Sequence, residues 1–323
     1  MLVLQPGTRA GSGQGRVRVW LHANLGAFVM VGTLAALTVS VAAAYRDRWV
    51  PGTSPNRRQF EGREAILDLT VVVPFYNPGP MLADHLDRLI DVLKATDVSF
   101  EVIAVADGCT DGSEAVVERF DPELVKLVRL PRNFGKGEAL RLGFCRGRGR
   151  YLGFIDADGD LDPELWRSFL AVMDLYKPDV VLGSKRHPLS EVHYPTLRRV
   201  LSVGYQLLVR LLFRLNVRDT QTGIKLVRRE VLEAVLPQMV EQRFTFDLEL
   251  FVVARHLGFR RFFEVPVRLN YQFRSTVSPR VVWRMLRDTV RIFLRLHLRG
   301  AYDSPRRTPG LVEAASLGER LAG

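Results

Sequence analysis

Three carboxylates alternate along Phe154-Ile155-Asp156-Ala157-Asp158-Gly159-Asp160. An extended chain turns residues i, i+2 and i+4 to one face, so Asp156, Asp158 and Asp160 converge if the segment stays extended. Clustered carboxylates repel one another unless a hard cation neutralises them. Mg²⁺ or Mn²⁺ does so, taking one or two carboxylates and completing its shell with phosphate oxygens. The chemistry on offer is a metal shared with a diphosphate. A strand running into an acidic turn is the competing reading of an isolated Asp-x-Asp, so the surrounding elements have to decide.

Those elements alternate in type. Leu67 to Pro74 reads as a buried strand and Met81 to Thr96 as an amphipathic helix. A second strand follows over Phe100 to Ala106, then a helix from Gly112 to Phe120, and a third strand over Val125 to Leu130. A loop punctuated by glycine leads into a helix ending near Arg146, and Tyr151 to Ile155 is a fourth strand. Asp162-Pro163-Glu164 carries a cap residue, a first-turn proline and an early acid, the signature of a helix start. Asp179 to Gly183 is a fifth strand. The alternation predicts an α/β fold, a doubly wound and mostly parallel sheet that binds ligands at the carboxyl ends of its strands. Pro74 to Asn77, Asp107 to Asp111, Asn133 to Gly137 and Asp156 to Asp160 each follow a strand.

Charge and hydropathy point to an anionic partner at a membrane. The 323 residues carry a net charge of +11, and six of the 46 basic residues are lysines. Such a balance suits phosphorylated substrates, lipid headgroups or nucleic acid. Cys109 and Cys145 have no metal-ligand spacing and form no disulfide framework. Leu25 to Tyr45 holds no charge and is long enough to span a bilayer as a helix, with Trp20, Tyr45 and Trp49 at its interfaces. A cleavable signal peptide is the alternative, but the apolar run is long for one and starts late. Arg46, Arg48, Arg57, Arg58 and Arg63 follow the span and favour a cytoplasmic catalytic domain. The expected organisation is a tail over 1–24, a single-pass anchor over 25–45, a linker over 46–67, a catalytic domain over 68–275, an amphipathic membrane-interface helix over 276–300 and a disordered tail over 301–323. Leu197 to Val217 and Val281 to Arg299 mix apolar residues with arginines, as ordinary amphipathic helices packed on the sheet do and as helices lying in a headgroup layer do; the anchor upstream favours the headgroup layer.

Taken in order, Val71-Val72-Val73-Pro74-Phe75-Tyr76-Asn77, Ala106-Asp107-Gly108-Cys109-Thr110-Asp111-Gly112-Ser113, Asn133-Phe134-Gly135-Lys136-Gly137 and Asp156-Ala157-Asp158 resemble the inverting GT-A glycosyltransferases of family 2. Arg218-Asp219-Thr220-Gln221-Thr222-Gly223-Ile224-Lys225-Leu226 and Phe246-Asp247-Leu248-Glu249-Leu250 narrow the resemblance to the polyprenyl-phosphate hexose synthases, the group of the dolichyl-phosphate glucose and mannose synthases. It covers residues 68–299. It implies a GT-A, Rossmann-like fold and transfer of a hexose, with inversion, from a nucleotide sugar to polyprenyl or dolichyl phosphate. UDP-glucose is the favoured donor and GDP-mannose the second. A lipid phosphate is already an anion, so no general base is required, in keeping with the absence of histidine from these motifs.

The resemblance also implies roles. Pro74, Tyr76, Asn77 and Asp107 hold the nucleotide, Lys136 meets the diphosphate, and Asp156, Asp158 and Asp160 hold Mg²⁺ or Mn²⁺. Lys185, Arg186, Arg198 and Arg274 receive the acceptor phosphate, while Asp219, Gln221 and Asp247 line or brace the sugar and acceptor pocket. Asp158 and Arg198 are the expected catalytic pair. Three positions depart from the pattern: Ala106 stands where relatives carry an acid, Pro78 follows Asn77 in place of Glu, and Ser275-Thr276 replaces Ser-Lys. These departures keep an inactive homologue in view. A nucleic-acid binder would interleave arginines with stacking aromatics on one face, whereas these arginines gather in two late segments; no nucleic-acid partner is expected.

Overall fold

The computed structural model describes residues 65–192, 196–243, 245–269, 279–298 and 300–303. The expected tail, anchor and most of the linker lie outside the described residues, as does Arg274.

The amino-terminal half follows the predicted alternation. Strand β1 (Leu67–Phe75) leads to helix α1 (Met81–Lys94), β2 (Phe100–Asp107), the short α2 (Glu114–Val117), β3 (Val125–Leu130), α3 (Lys136–Arg146), β4 (Gly149–Ile155), α4 (Leu165–Tyr176) and β5 (Val180–Ser184). The remainder comprises α5 (Thr196–Phe213), β6 (Ile224–Arg228), α6 (Arg229–Val235) with a 3-10 turn at Leu236–Gln238, α7 (Phe246–His256), β7 (Phe262–Pro266) and α8 (Pro279–His297).

The seven strands form one sheet in the order β3-β2-β1-β4-β6-β5-β7. β1 pairs in parallel with β2 and β4, β2 with β3, and β5 with β7, whereas β6 runs antiparallel to both β4 and β5. The sheet is thus mostly parallel, with β6 inserted between β4 and β5. Its reversed direction places its first residue, Ile224, beside the last residue of β4, Ile155. The loop before β6 therefore reaches the edge of the sheet where the strand-end motifs collect.

Both faces of the sheet are covered, which explains the near-continuous apolar runs of β1 and β2. Val72, Leu152 and Phe154 point into one core with α3, α5, α6, α7 and α8, and Val71, Val73 and Ile155 point into the other with α1 and α4. Helix α7 is buried on nearly every side. Helix α8 turns Leu286, Ile292 and Phe293 into the protein, with Phe293 edge-on to Phe213 of α5. Its apolar side is therefore packed on protein, so a headgroup contact for α8 is left to its exposed arginines, Arg284, Arg287 and Arg291. Helix α5 differs, because Val203, Leu207 and Leu211 recur every four residues and stay exposed. Residues 301–303 also depart from the disordered tail expected for them. Tyr302 is buried and donates to Glu249 Oε1 at 2.6 Å, and Asp303 Oδ1 lies 2.8 Å from His256 Nε2. Among the described residues no helix is long and apolar enough to cross a membrane.

Candidate active site

A cavity of about 610 Å³ opens at the carboxyl ends of β1, β2 and β4. Pro74, Tyr76, Asn77, Asp107, Lys136, Asp156 and Asp158 all line it. The spacing in sequence is large, yet each residue ends or follows a strand of the same parallel group, so the topology assembles them.

The loops are laced together before any ligand arrives. Asn77, with a left-handed φ of 48°, accepts the Thr110 N–H at 2.8 Å and donates through Nδ2 to Thr110 Oγ1 at 3.2 Å. Asp111 accepts from the Gly79 N–H at 3.0 Å. Asp107 is buried and accepts two backbone N–H groups at 2.8 Å each, from Phe134 and Gly135. Its carboxylate anchors the loop that carries Lys136.

Lys136 opens α3, whose first N–H groups and positive dipole end add to the cationic character of that wall. Its Nζ lies 2.6 Å from Asp156 Oδ1 and 3.9 Å from Asp247 Oδ2. Asp247 in turn holds Lys225 Nζ at 2.7 Å through its other oxygen, and Lys225 also donates to the Thr222 carbonyl at 2.8 Å. The result is a chain of alternating charge, Asp156–Lys136–Asp247–Lys225. The Phe154 ring lies 4.8 Å from one ammonium and 5.0 Å from the other. Burial works against the Lys136 charge, but Asp156, Asp247 and Asp158 together hold its pKa above the usual lysine value. Burial pushes the Asp156 carboxyl up, with Lys136 opposing. Burial also pulls Lys225 down, with Asp247 opposing.

Asp156 is set by β6 as well. Its N–H donates to the Gly223 carbonyl at 2.9 Å, and a Cβ at Gly223 would fall 2.1 Å from Asp156 Oδ2. Only glycine leaves room for the carboxylate there. Gly223→Ala is expected to swing Asp156 off Lys136 and lower turnover about 100-fold, with little change in thermal midpoint because the displaced group is a side-chain end. Steady-state kinetics beside a melting curve check this, and an active Gly223→Ala protein would show that the Asp156 position is not critical.

Asp156 and Asp158 open on the same cavity, and among the described residues no third acid or histidine joins them in a metal-sized cluster. Two carboxylates are too few for an all-protein cage but suit Mg²⁺ or Mn²⁺ that takes its other ligands from a diphosphate and water. Asp160 does not line the cavity; its N–H donates to Asp158 Oδ1 at 3.1 Å, closing the turn.

Of the residues expected at the acceptor, Asp219, Gln221 and the backbone of Lys185 are joined in one loop cluster. Asp219 Oδ2 accepts the Lys185 N–H at 3.1 Å and the Thr222 hydroxyl at 2.6 Å, and Oδ1 accepts the Gln221 N–H at 3.0 Å. Asp219 thereby ties the end of β5 to the loop before β6. Arg186 donates to the Ser202 carbonyl of α5 at 3.2 Å. Arg198 sits in the first turn of α5, with its side chain outside the described residues. Two residues of consequence received no role from the sequence: Lys225, a buried cation between Ile224 and Leu226, and Arg243, which lines the cavity. For Lys225 the signal was present, since a lysine inside an apolar strand needs a buried partner.

Strand-end carboxylates and a loop lysine at a helix start meet at one edge of a mixed α/β sheet with one antiparallel insertion. The chain belongs to glycosyl transferase family 2, whose model matches residues 70–236. It is similar to a dolichyl-phosphate beta-glucosyltransferase of Drosophila melanogaster, 30% identical over 311 residues and covering 85% of this chain and 94% of the relative. The enzyme of the same name from Mus musculus is 31% identical over 251 residues, 72% of this chain and 77% of the relative. Among solved structures, glucosyl-3-phosphoglycerate synthase from Mycobacterium tuberculosis in complex with Mn²⁺, UDP and glucosyl-3-phosphoglycerate shares the fold. The TM-score is 0.53 at 19% identity, covering 77% of this chain and 86% of that one.

Proposed function

We propose that this protein transfers glucose from UDP-glucose to dolichyl or a related polyprenyl phosphate with inversion at the anomeric carbon. The observation that carries this reading is the convergence of Asp156, Asp158 and Lys136 on one cavity at the strand ends, in a chain whose relatives are named for glucosyl transfer to dolichyl phosphate. Pro74, Tyr76, Asn77 and Asp107 border the nucleotide, and Lys136 with the start of α3 meets the diphosphate. Asp156 and Asp158 would hold Mg²⁺ or Mn²⁺, with Asp160 bracing Asp158 through the turn and not reaching the ion; the ion would supply neutralisation of charge on the departing UDP. The solved relative with Mn²⁺ and UDP supports a divalent ion.

The acceptor phosphate is received by Lys185, Arg186, Arg198 and Arg274, with Asp219 and Gln221 shaping the loop between the two substrates and Asp247 bracing Lys136. A phosphate monoester attacks as an anion, so the protein's work is alignment of two phosphates and stabilisation of the leaving group. The exposed stripe Val203, Leu207 and Leu211 on α5 supports membrane contact on the side of Arg186. The segment 25–45 would anchor the chain, with the catalytic domain on the cytoplasmic face.

Membranes containing the full chain, given radiolabelled UDP-glucose, dolichyl phosphate and Mg²⁺ or Mn²⁺, are expected to form a labelled lipid that chelation of the metal prevents. GDP-mannose is the matched control donor. Labelling from GDP-mannose in preference would overturn the choice of sugar, and no labelling from either would overturn the reaction.

A further inference from the structure

Residues 239–241 are held by side chains from three helices. Glu249, a buried carboxylate of α7, accepts the N–H groups of Val240 and Glu241 at 2.8 and 2.7 Å. Glu241 accepts from Arg295 of α8 at 2.7 Å and from Thr245 at 3.1 Å. Arg141 of α3 donates to the carbonyls of Leu236 and Met239 at 2.9 and 2.8 Å. The segment then crosses the loop that carries Lys136. The Gln242 carbonyl accepts the Glu138 N–H at 3.2 Å, and a Cβ on Gly135 or Gly137 would fall 2.8 Å from that same oxygen. Two glycines on either side of Lys136 thus admit residues 242 and 243 to the cavity wall.

This framework ends in an exposed arginine. Arg243 lines the cavity with Lys136, Asp156 and Asp158, and among the described residues no carboxylate pairs with it. Lys136, the other cation of the cavity wall, is already 2.6 Å from Asp156. An exposed guanidinium on a well-anchored backbone, with no carboxylate paired to it among the described residues, has its fork of donors available for phosphate oxygens in the cavity. We propose that Arg243 is a phosphate-binding residue of this site, a second cation set across Gly135 from Lys136.

The inference rests on the reaction proposed above, and the phosphate is either the donor's diphosphate or the acceptor's monoester. The full chain and its Arg243→Gln and Arg243→Lys variants are compared by calorimetric titration with UDP and by steady-state kinetics varying each substrate. Loss of one charge-assisted contact predicts about a 10- to 100-fold weakening, partly restored by lysine, at an unchanged thermal midpoint. Weaker UDP binding with a raised KM for UDP-glucose assigns Arg243 to the donor. Unchanged UDP binding with a raised KM for dolichyl phosphate assigns it to the acceptor. If Arg243→Gln matches an active parent in all three measurements, the inference is overturned. A parent that binds UDP but transfers no glucose overturns the reaction instead. The UDP titration then decides by itself: weaker binding by Arg243→Gln upholds the phosphate contact, and equal binding removes it.

Discussion

Asp158→Ala is expected to lower glucose transfer by about two to three orders of magnitude while leaving the thermal midpoint nearly unchanged. Asp158 is exposed at the cavity, and its one described bond is the 3.1 Å contact that closes its own turn. Little folding energy depends on it. In the proposed reaction its value lies in the charge it adds next to Asp156, where the two carboxylates would hold a divalent ion against the diphosphate. Asp156 is the poorer probe, because it also fixes Lys136 and meets Gly223, so its removal mixes misfolding of the loop with loss of chemistry. Calorimetric titration of Mn²⁺ in the presence of UDP supplies the second readout, and Asp158→Ala should weaken it in step with turnover. Retained turnover would remove Asp158 from the metal–diphosphate site.

Breaking the buried pair behind the site should produce the largest loss of stability. Asp247→Ala leaves the Lys225 ammonium with the Thr222 carbonyl as its described hydrogen-bond partner, in a place with no exposure to solvent. Removing one partner of such a pair costs about 3–5 kcal/mol, which corresponds to a fall of roughly 10 °C in thermal midpoint for a domain of this size. Activity should fall too, because Asp247 is also the second carboxylate facing Lys136. The double variant Lys225→Met with Asp247→Leu separates the two effects. An apolar pair of similar volume removes the buried charges altogether and is often neutral or stabilising, so the midpoint should return. Turnover should stay about tenfold low, since Lys136 still lacks its brace. Full recovery of turnover would show that the pair supports the fold alone.

These predictions divide along the line between local and distant information. The first four strands, their helices and the turns that follow them were legible because each is encoded within a short window: an apolar run, a glycine or proline break, a helix start. A parallel α/β sheet brings all its strand ends to one edge, so order along the chain was enough to place Pro74, Asn77, Asp107, Lys136, Asp156 and Asp158 around a single cavity. What such windows do not contain is which strands become neighbours. The five residues Ile224-Lys225-Leu226-Val227-Arg228 carry no mark of their direction or of their place between β4 and β5. Yet that insertion delivers Gly223 to Asp156 and Lys225 to Asp247.

The same holds for the late helices. Arginine-rich amphipathic patterns at 197–217 and 281–299 look alike in sequence, because periodicity reports that a face is apolar and not what covers it. Folding separates them: α8 packs Leu286, Ile292 and Phe293 inward, whereas α5 leaves Val203, Leu207 and Leu211 uncovered. The acidic run was readable from residue types and spacing, since carboxylates that close together call for a cation. Its neighbours Gly223, Asp247 and Arg243 were not, because they come to the cavity through the topology of the sheet and the packing of residues 239–243. Contacts between residues so far apart in the chain exist once strands have paired and helices have packed, and no local pattern records them.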